Sequence, residues 1–248
     1  MKIYLDPTAD WQVERKADNS PLTIADRRSH AIIADALAET HVPLLSEEGI
    51  HTPFEERRQW ERLWIVDPLD GTKEFLKRNG EFTVNIALVE DGMPIAGVIY
   101  VPATRVLYWG YCYREGATLY RSARRCDVAA DGSRENEQSL PLALAPRPYT
   151  VVASRSHLSE ATEEFIAHDR ELHPDLVLQS AGSSLKICLV AEGRADVYPR
   201  LAPTMEWDTA AGHAIALGAG CDIVNADDLS PVVYNKPDLH NPFFIVRR

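Results

Sequence analysis

Two aspartates three residues apart, Asp67 and Asp70, stand in the segment Trp64-Ile-Val-Asp-Pro-Leu-Asp-Gly-Thr72. Apolar β-formers at 63–66 precede them and read as a buried strand. The carboxyl ends of such strands are where open α/β sheets place their ligands. Pro68 stiffens the turn, so the Leu69 carbonyl points the same general way as both acids. Two carboxylates and a carbonyl form an all-oxygen donor set suited to a hard cation such as Mg2+. Gly71-Thr72 would open the next helical turn, whose free N–H groups can hold a phosphate. The plain alternative is a turn capped by aspartates.

Two further acids widen the constellation. Glu47, in Ser46-Glu47-Glu48, lies twenty residues before Asp67 and just after another predicted strand. Asp208, in Trp207-Asp-Thr-Ala-Ala-Gly212, opens a predicted helix whose positions 210, 214 and 218 are small enough for close packing. Taken singly, Glu47 reads as a solvated acid and Asp208 as an N-cap. The sequence has no phosphate-binding lysine loop, no nucleophile elbow and no zinc-helix signature. Gly218 and Gly220 match a dinucleotide loop only in part, and they follow a helix rather than a strand. The eight histidines form no ligand-spaced pair.

The elements that must position these residues follow from periodicity. Thr23-x-x-Asp26 reads as a capping box opening a helix over 23–40, with Ile24, Ile32, Ile33, Ala36 and Leu37 on one face. A short strand at 42–45 and a helix at 53–60 come next. An antiparallel meander then runs through 82–89, 95–101, 105–111 and 117–120, with a turn at Asp91-Gly92. The polar stretch 127–138 reads as a loop. A lobe boundary is placed near 140, giving an N-terminal lobe over 1–140 with the main metal motifs and an α/β lobe over 141–248. The second lobe alternates strands at 150–153, 176–180 and 197–201 with helices at 159–168, 184–192 and 208–217. Strands near 221–224 and 243–246 close it. This pattern predicts an α+β fold of stacked sheet and helix layers.

Composition bounds the chemistry. A chain of 248 residues makes one large domain or two small ones. The net charge of −11 and pI near 5.2 argue against a sequence-independent grip on nucleic acid or acidic lipid. An anionic substrate would need local positive charge at the site. The four cysteines, Cys112, Cys126, Cys188 and Cys221, are too dispersed for a zinc or disulfide framework. No apolar run approaches a membrane span, and the start has no signal-peptide core. The expectation is a soluble, cytoplasmic protein, with peripheral inner-membrane association left open.

Taken together, the motifs resemble the lithium-sensitive, metal-dependent phosphatases of the inositol monophosphatase superfamily. The matching segments are S-E-E at 46–48, W-I-V-D-P-L-D-G-T at 64–72 and W-D-T-A-A-G at 207–212. Within it the chain is most similar to the bacterial 3′(2′),5′-bisphosphate nucleotidases of the CysQ type. That likeness rests on K-A-D-N-S-P-L-T at 16–23, the run 70–88, S-R-S-H at 154–157 and G-S-S-L-K-I-C-L-V-A-E-G at 182–193. Inositol monophosphatases usually read D-G-T-T-N-F where this chain has Lys73-Glu74-Phe75. The resemblance implies a layered α-β-α-β-α sandwich of the inositol monophosphatase and fructose bisphosphatase type.

It also implies roles. Glu47, Asp67 and the Leu69 carbonyl would bind one Mg2+, and Asp67, Asp70 and Asp208 a second. Glu47 would also touch a third, weaker ion. Asp26 and Thr72 would orient and activate the attacking water, while Gly71 and Thr72 hold the phosphate being cleaved. Substrate would lie against these groups and Ser184, Lys186 and Arg200. Lys186 and Arg200 would meet a second phosphate, and Arg155 and His157 the nucleotide end. The expected substrate is adenosine 3′,5′-bisphosphate, with its sulfated form beside it, a by-product of sulfate assimilation. Alternatives are inositol monophosphatase or sugar bisphosphatase activity on the same fold, or a metal-binding regulatory protein without catalysis. A homodimer is admitted, and no transmembrane segment or nucleic-acid polymer is expected. The family's usual long first helix has only residues 1–4 as a counterpart here, so an apolar patch near the 24–37 helix is expected to be bare and to favour self-association.

Overall fold

Alternating inward and outward side chains build the first sheet. The computed structural model describes residues 1–6, 11–15, 21–50, 52–154 and 159–248. The chain opens with α1 (Lys2–Leu5) and the paired β1 (Glu14–Arg15) and β2 (Pro21–Leu22), followed by α2 (Ile24–Ala38). Next come β3 (Leu44–Ser46), α3 (Phe54–Arg57), β4 (Arg62–Asp70) and α4 (Thr72–Leu76). The meander continues as β5 (Thr83–Glu90), β6 (Met93–Val101), β7 (Val106–Glu115), β8 (Thr118–Val128) and β9 (Arg134–Ser139). Strands β3 to β9 lie side by side in chain order, parallel at β3/β4 and antiparallel elsewhere. Asp91 and Gly92, both with positive φ, make the tight turn between β5 and β6.

The second half is β10 (Thr150–Ala153), α5 (Glu160–Leu172), β11 (Val177–Ser180), α6 (Leu185–Glu192), β12 (Val197–Arg200), α7 (Glu206–Gly218), β13 (Asp222–Asn225) and β14 (Phe244–Arg247). Its sheet runs β11-β10-β12-β14-β13, parallel across β11, β10 and β12 and antiparallel from β12 through β14 to β13. Alternation gives this sheet two apolar faces. Val152, Tyr198, Phe244 and Val246 join the main core with residues of α6 and α7. Val151, Ala153 and Val197 face the other way, against Ile166 of α5. Helix α2 packs on β3 and β4 from outside the first sheet. The layers are α2, sheet, α6 with α7, sheet and α5, the expected α-β-α-β-α sandwich.

Helix α7 rests backbone to backbone on the first sheet. A Cβ added to Gly97 would lie 2.4 Å from the Ala211 carbonyl oxygen, and one on Gly218 would lie 2.3 Å from that of Ser122. No side chain fits at either place, so these glycines fix how deeply α7 sits.

Two expectations are corrected. The stretch 127–138 is not a loop, because it ends β8 and supplies most of β9. Strand β9 is exposed along its whole length at the sheet edge, where charged residues deter pairing with other chains. Its polarity reflects that edge position. The helix at 53–60 shrinks to Phe54–Arg57, because Arg57 is buried and its guanidinium donates to the Thr52 carbonyl, Asn235 Oδ1 and the Lys236 carbonyl. The apolar face assigned to α2 is largely open, as expected for the 24–37 helix: among its residues only Asp26 is buried, and Ile32 is 71% exposed.

Candidate active site

The pair Asp67 and Asp70 is aligned by an irregularity in the β4/β5 ladder. Asp67 stands opposite Asn85, yet Asp70 stands opposite Thr83. Three steps along β4 therefore answer two along β5. This bulge inserts one residue and breaks the strict alternation, bringing both carboxylates to one side. Asp67 Oδ1 accepts the Leu69 N–H at 2.9 Å, which closes the turn. From α2, Ser29 Oγ donates to the Pro68 carbonyl at 2.8 Å and pins the turn from outside.

Gly71 follows with φ +90° as the N-cap of α4. A Cβ there would come within 3.3 Å of Glu74 Oε2, the Glu81 carbonyl oxygen and Ser183 Cβ. The left-handed turn needs glycine, and it delivers Thr72 beside Asp26. Thr72 Oγ1 donates to Asp26 Oδ1 at 3.2 Å and lies 3.5 Å from the Leu69 carbonyl oxygen. Asp26 also closes the capping box of α2. Its Oδ2 accepts the Thr23 N–H at 2.8 Å and the Thr23 hydroxyl at 2.6 Å. Capping and pairing thus use different oxygens of one carboxylate that is only 1% exposed.

Asp208 comes from the second half of the chain. Helix α7 begins at Glu206, so Asp208 is its third residue rather than its opening one. Its Oδ2 accepts the Met205 N–H at 2.8 Å. Glu206 is anchored by the N–H groups of Asn235 and Lys236 and by the Lys236 ammonium. One oxygen each from Asp67, Asp70 and Asp208 lies within 4.8 Å of the others. Burial pushes Asp67 well above the ordinary carboxylate range, and the charges of Glu47, Asp70 and Asp208 push it further. Burial, with Asp70 next in effect, lifts Asp208 to about 8. A cation held among these carboxylates would favour their charged forms. The donor set is all oxygen and fits a hard divalent ion such as Mg2+.

A pH dependence follows for the metal-free protein. Asp208 titrates near 3.8 when unperturbed and near 8 when folded. Between those values the folded state holds a proton that the unfolded state releases, so stability falls as pH rises. The slope approaches about 1.4 kcal/mol per pH unit for each such proton. Mg2+ held by these carboxylates would have to displace the same protons, so its stabilisation is expected to grow with pH. Melting of chelator-treated protein at pH 5 and pH 8, with and without Mg2+, checks both statements. A metal-free Tm that climbs over this range, or an equal Mg2+ effect at both pH values, contradicts them.

Around these acids lies a cleft of about 430 Å3, lined among others by Lys73, Lys77, Ser183, Lys186, Arg200 and Thr204. Lys186 is buried rather than on the surface. Its ammonium donates to the Ser183 carbonyl at 2.6 Å and the Ala181 carbonyl at 3.3 Å, and it sits 5.4 Å from the Tyr198 ring centre. Burial lowers its pKa to about 8, against the pull of Asp70. Arg200 donates through Nη2 to the Pro203 carbonyl, while its buried Nε has no hydrogen-bond partner. Ser184, expected at the substrate, directs both its N–H and its hydroxyl at Asp70 Oδ2, at 2.7 and 2.8 Å. Arg155, His157 and residues 16–20 lie outside the described residues.

Sequence reasoning missed Asn85. It occupies an inward position of β5, between Thr83 and Ala87, and donates to Ser184 Oγ at 2.9 Å. An amide among inward-facing positions of a buried strand is the signal that could have found it.

Five layers with an acidic cleft where the sheets' ends meet α7 define the class. The sequence pattern of the inositol monophosphatase family matches residues 5–242, and the chain belongs to that family. Within it, the chain is 45% identical over 228 residues to the 3′(2′),5′-bisphosphate nucleotidase CysQ of Escherichia coli K12, covering 90% of this chain and 83% of that protein. The corresponding Haemophilus influenzae protein is 32% identical over 237 residues, covering 94% and 82%. The crystal structure of CysQ from Bacteroides thetaiotaomicron superposes with a TM-score of 0.86 at 53% identity, over 99% of this chain and 90% of that one. An IMPase/NADP phosphatase crystallised with Mg2+ and phosphate shares the fold at a TM-score of 0.67 and 19% identity, over 95% and 81%.

Proposed function

We propose that the phosphatase activity of this chain is removal of the 3′-phosphate of adenosine 3′,5′-bisphosphate, giving AMP and phosphate, with the sulfated nucleotide as a second substrate. The observation that carries this reading is the convergence of Asp67, Asp70 and Asp208 within 4.8 Å, with Asp70 and Asp208 lining a cleft that also holds Thr72, Lys186 and Arg200. The activity for which the CysQ relatives are named, and the length they share with this chain, support it.

Asp67, Asp70 and Asp208, with Glu47 and the Leu69 carbonyl, are the residues that would hold Mg2+, as two or three ions. Bound Mg2+ supplies Lewis-acid charge to the phosphoryl oxygens and makes water more acidic near neutral pH. The remaining steps belong to the chain. Thr72 Oγ1, whose proton points to Asp26 Oδ1, keeps lone pairs with which to accept a proton from the attacking water. Asp26 takes the threonine proton in turn. The water oxygen bonds to phosphorus, the P–O3′ bond breaks, and the released oxygen is protonated from solvent as AMP leaves. The backbone N–H groups after Gly71 face the phosphate under transfer. Lys186 and Arg200, across the cleft, meet the phosphate that stays.

The test is phosphate release in Mg2+, with and without Li+, from adenosine 3′,5′-bisphosphate, an inositol monophosphate and a sugar bisphosphate. The nucleotide is expected to lead, and Li+ to inhibit. Lys186→Ala serves as the internal control. A lost charge-assisted contact is worth about 1.5–3 kcal/mol, or roughly 10- to 150-fold in kcat/KM, and it should fall on the bisphosphate and spare a nucleoside 3′-monophosphate. A faster sugar or inositol substrate favours the alternatives on the same fold. Equal Lys186→Ala losses on both nucleotides would place that ammonium in the loop's structure.

We assign the protein to the cytoplasm on two grounds. All four cysteines are free, three of them buried, as a reducing compartment allows. No helix among the described residues is long and apolar enough to cross a membrane.

A further inference from the structure

We propose that Asn85 is a positioning residue that sets the spacing of Asp70 and Asp208 through the hydroxyl of Ser184. The proposal rests on the metal-dependent reading of the site and extends it to the groups that brace the acids. Ser184 is buried just before α6. Its hydroxyl lies 2.8 Å from Asp70 Oδ2 and 2.7 Å from the carbonyl oxygen of Asp208. Asn85 Nδ2 donates to that hydroxyl at 2.9 Å and lies 3.4 Å from Asp70 Oδ2. One oxygen atom thus joins the end of β4, the first turn of α7, the start of α6 and the middle of β5.

A hydroxyl has one proton and two lone pairs. The Asn85 amide occupies a lone pair. The proton is then turned toward Asp70 and the Asp208 carbonyl, between the two elements that carry opposing carboxylates. Without the amide the hydroxyl keeps its two acceptors but loses the donor that holds its oxygen from the β5 side, and the Asp70–Asp208 separation loses part of its brace. The energetics point the same way. Asn85 is 1% exposed, and its Oδ1 has no hydrogen-bond partner. An unpaired buried acceptor costs free energy that an apolar side chain of similar volume does not. Fold stability alone does not call for asparagine at this position. Ser184, in turn, has its N–H and its hydroxyl proton directed at the protein.

The experiment uses the full chain. Asn85→Leu, Ser184→Ala, Ser184→Thr and the double variant Asn85→Leu/Ser184→Ala are titrated with Mg2+ by calorimetry in the absence of substrate, then assayed for kcat and KM. Outer-shell partners of metal ligands are typically worth 10- to 100-fold in affinity, so Mg2+ binding should weaken by about tenfold in each of the two single deletions. The double variant should be no worse than the poorer single, because both act through one hydroxyl. Ser184→Thr should restore binding, and KM should stay near the wild-type value. Unchanged Mg2+ affinity overturns the proposal. So do multiplying effects in the double variant, or a change confined to KM. If Asn85→Leu does not fold, the Ser184→Ala and Ser184→Thr pair decides the matter. Because Mg2+ binding is read without substrate, the result stands whether or not the chain cleaves a bisphosphate nucleotide.

Discussion

Asp67→Asn is expected to remove turnover while leaving the metal-free protein at least as stable as the wild type. Asp67 lies in the middle of the acidic group, and its carboxyl is raised by burial first and by Glu47, Asp70 and Asp208 after that. An amide fills the same volume and still offers an oxygen to the Leu69 N–H, which Asp67 Oδ1 accepts at 2.9 Å. Replacing the acid therefore removes desolvation cost and like-charge repulsion without opening a cavity. It also removes an anionic ligand shared by the proposed ions. The loss of kcat/KM should exceed the ~100-fold at the top of the range for outer-shell partners. Melting near pH 8 should show a metal-free Tm equal to or above the wild type, and a much smaller rise on adding Mg2+. Substantial turnover in Asp67→Asn would sink the metal assignment. A large drop in metal-free Tm would make Asp67 a structural residue instead.

The grouping of Asp67, Asp70 and Asp208 was legible in sequence for a physical reason. Acids that repel one another in a buried place are poor fold-builders, so D-P-L-D after an apolar strand asks for a ligand. The turn glycine was legible for a similar reason, since Gly71 takes a left-handed φ. What sequence could not supply was the partner of each oxygen. Thr23-x-x-Asp26 reads as a capping box, and the structure shows one. The resemblance implied that Asp26 pairs with Thr72, and the fold shows which oxygen does so: the one that the capping box leaves free. Ser184 and Lys186 line the cleft, where their types suggest contact with an anion, and sequence carried no sign that their polar atoms also bind Asp70 and loop carbonyls. Strand β9 was lost because exposure on both faces erases the period-two signal on which strand reading depends.

Asp26→Asn carries the second large effect. Its two oxygens do separate work, so the variant separates fold from chemistry. Oδ2 receives both Thr23 donors, and their partial loss should cost about 1 kcal/mol, as for other helix caps. Oδ1 receives the Thr72 hydroxyl, and an uncharged amide cannot take that proton when water attacks. General-base groups contribute about 10²–10⁴-fold, and a loss in that range is expected in kcat with KM little changed. Thr23→Ala supplies the control. It weakens the same cap, keeps the Asp26–Thr72 pair, and should keep most of the activity. Thr72→Val, which deletes the hydroxyl at nearly constant volume, should cost about as much as Asp26→Asn. Combining the two should add little, since groups that move one proton fail as a unit. If Thr23→Ala lost activity as severely as Asp26→Asn, the carboxylate would matter through helix capping alone. If the Asp26→Asn and Thr72→Val losses multiplied, the two residues would act separately, and the route of the proton from water through Thr72 to Asp26 would have to be abandoned.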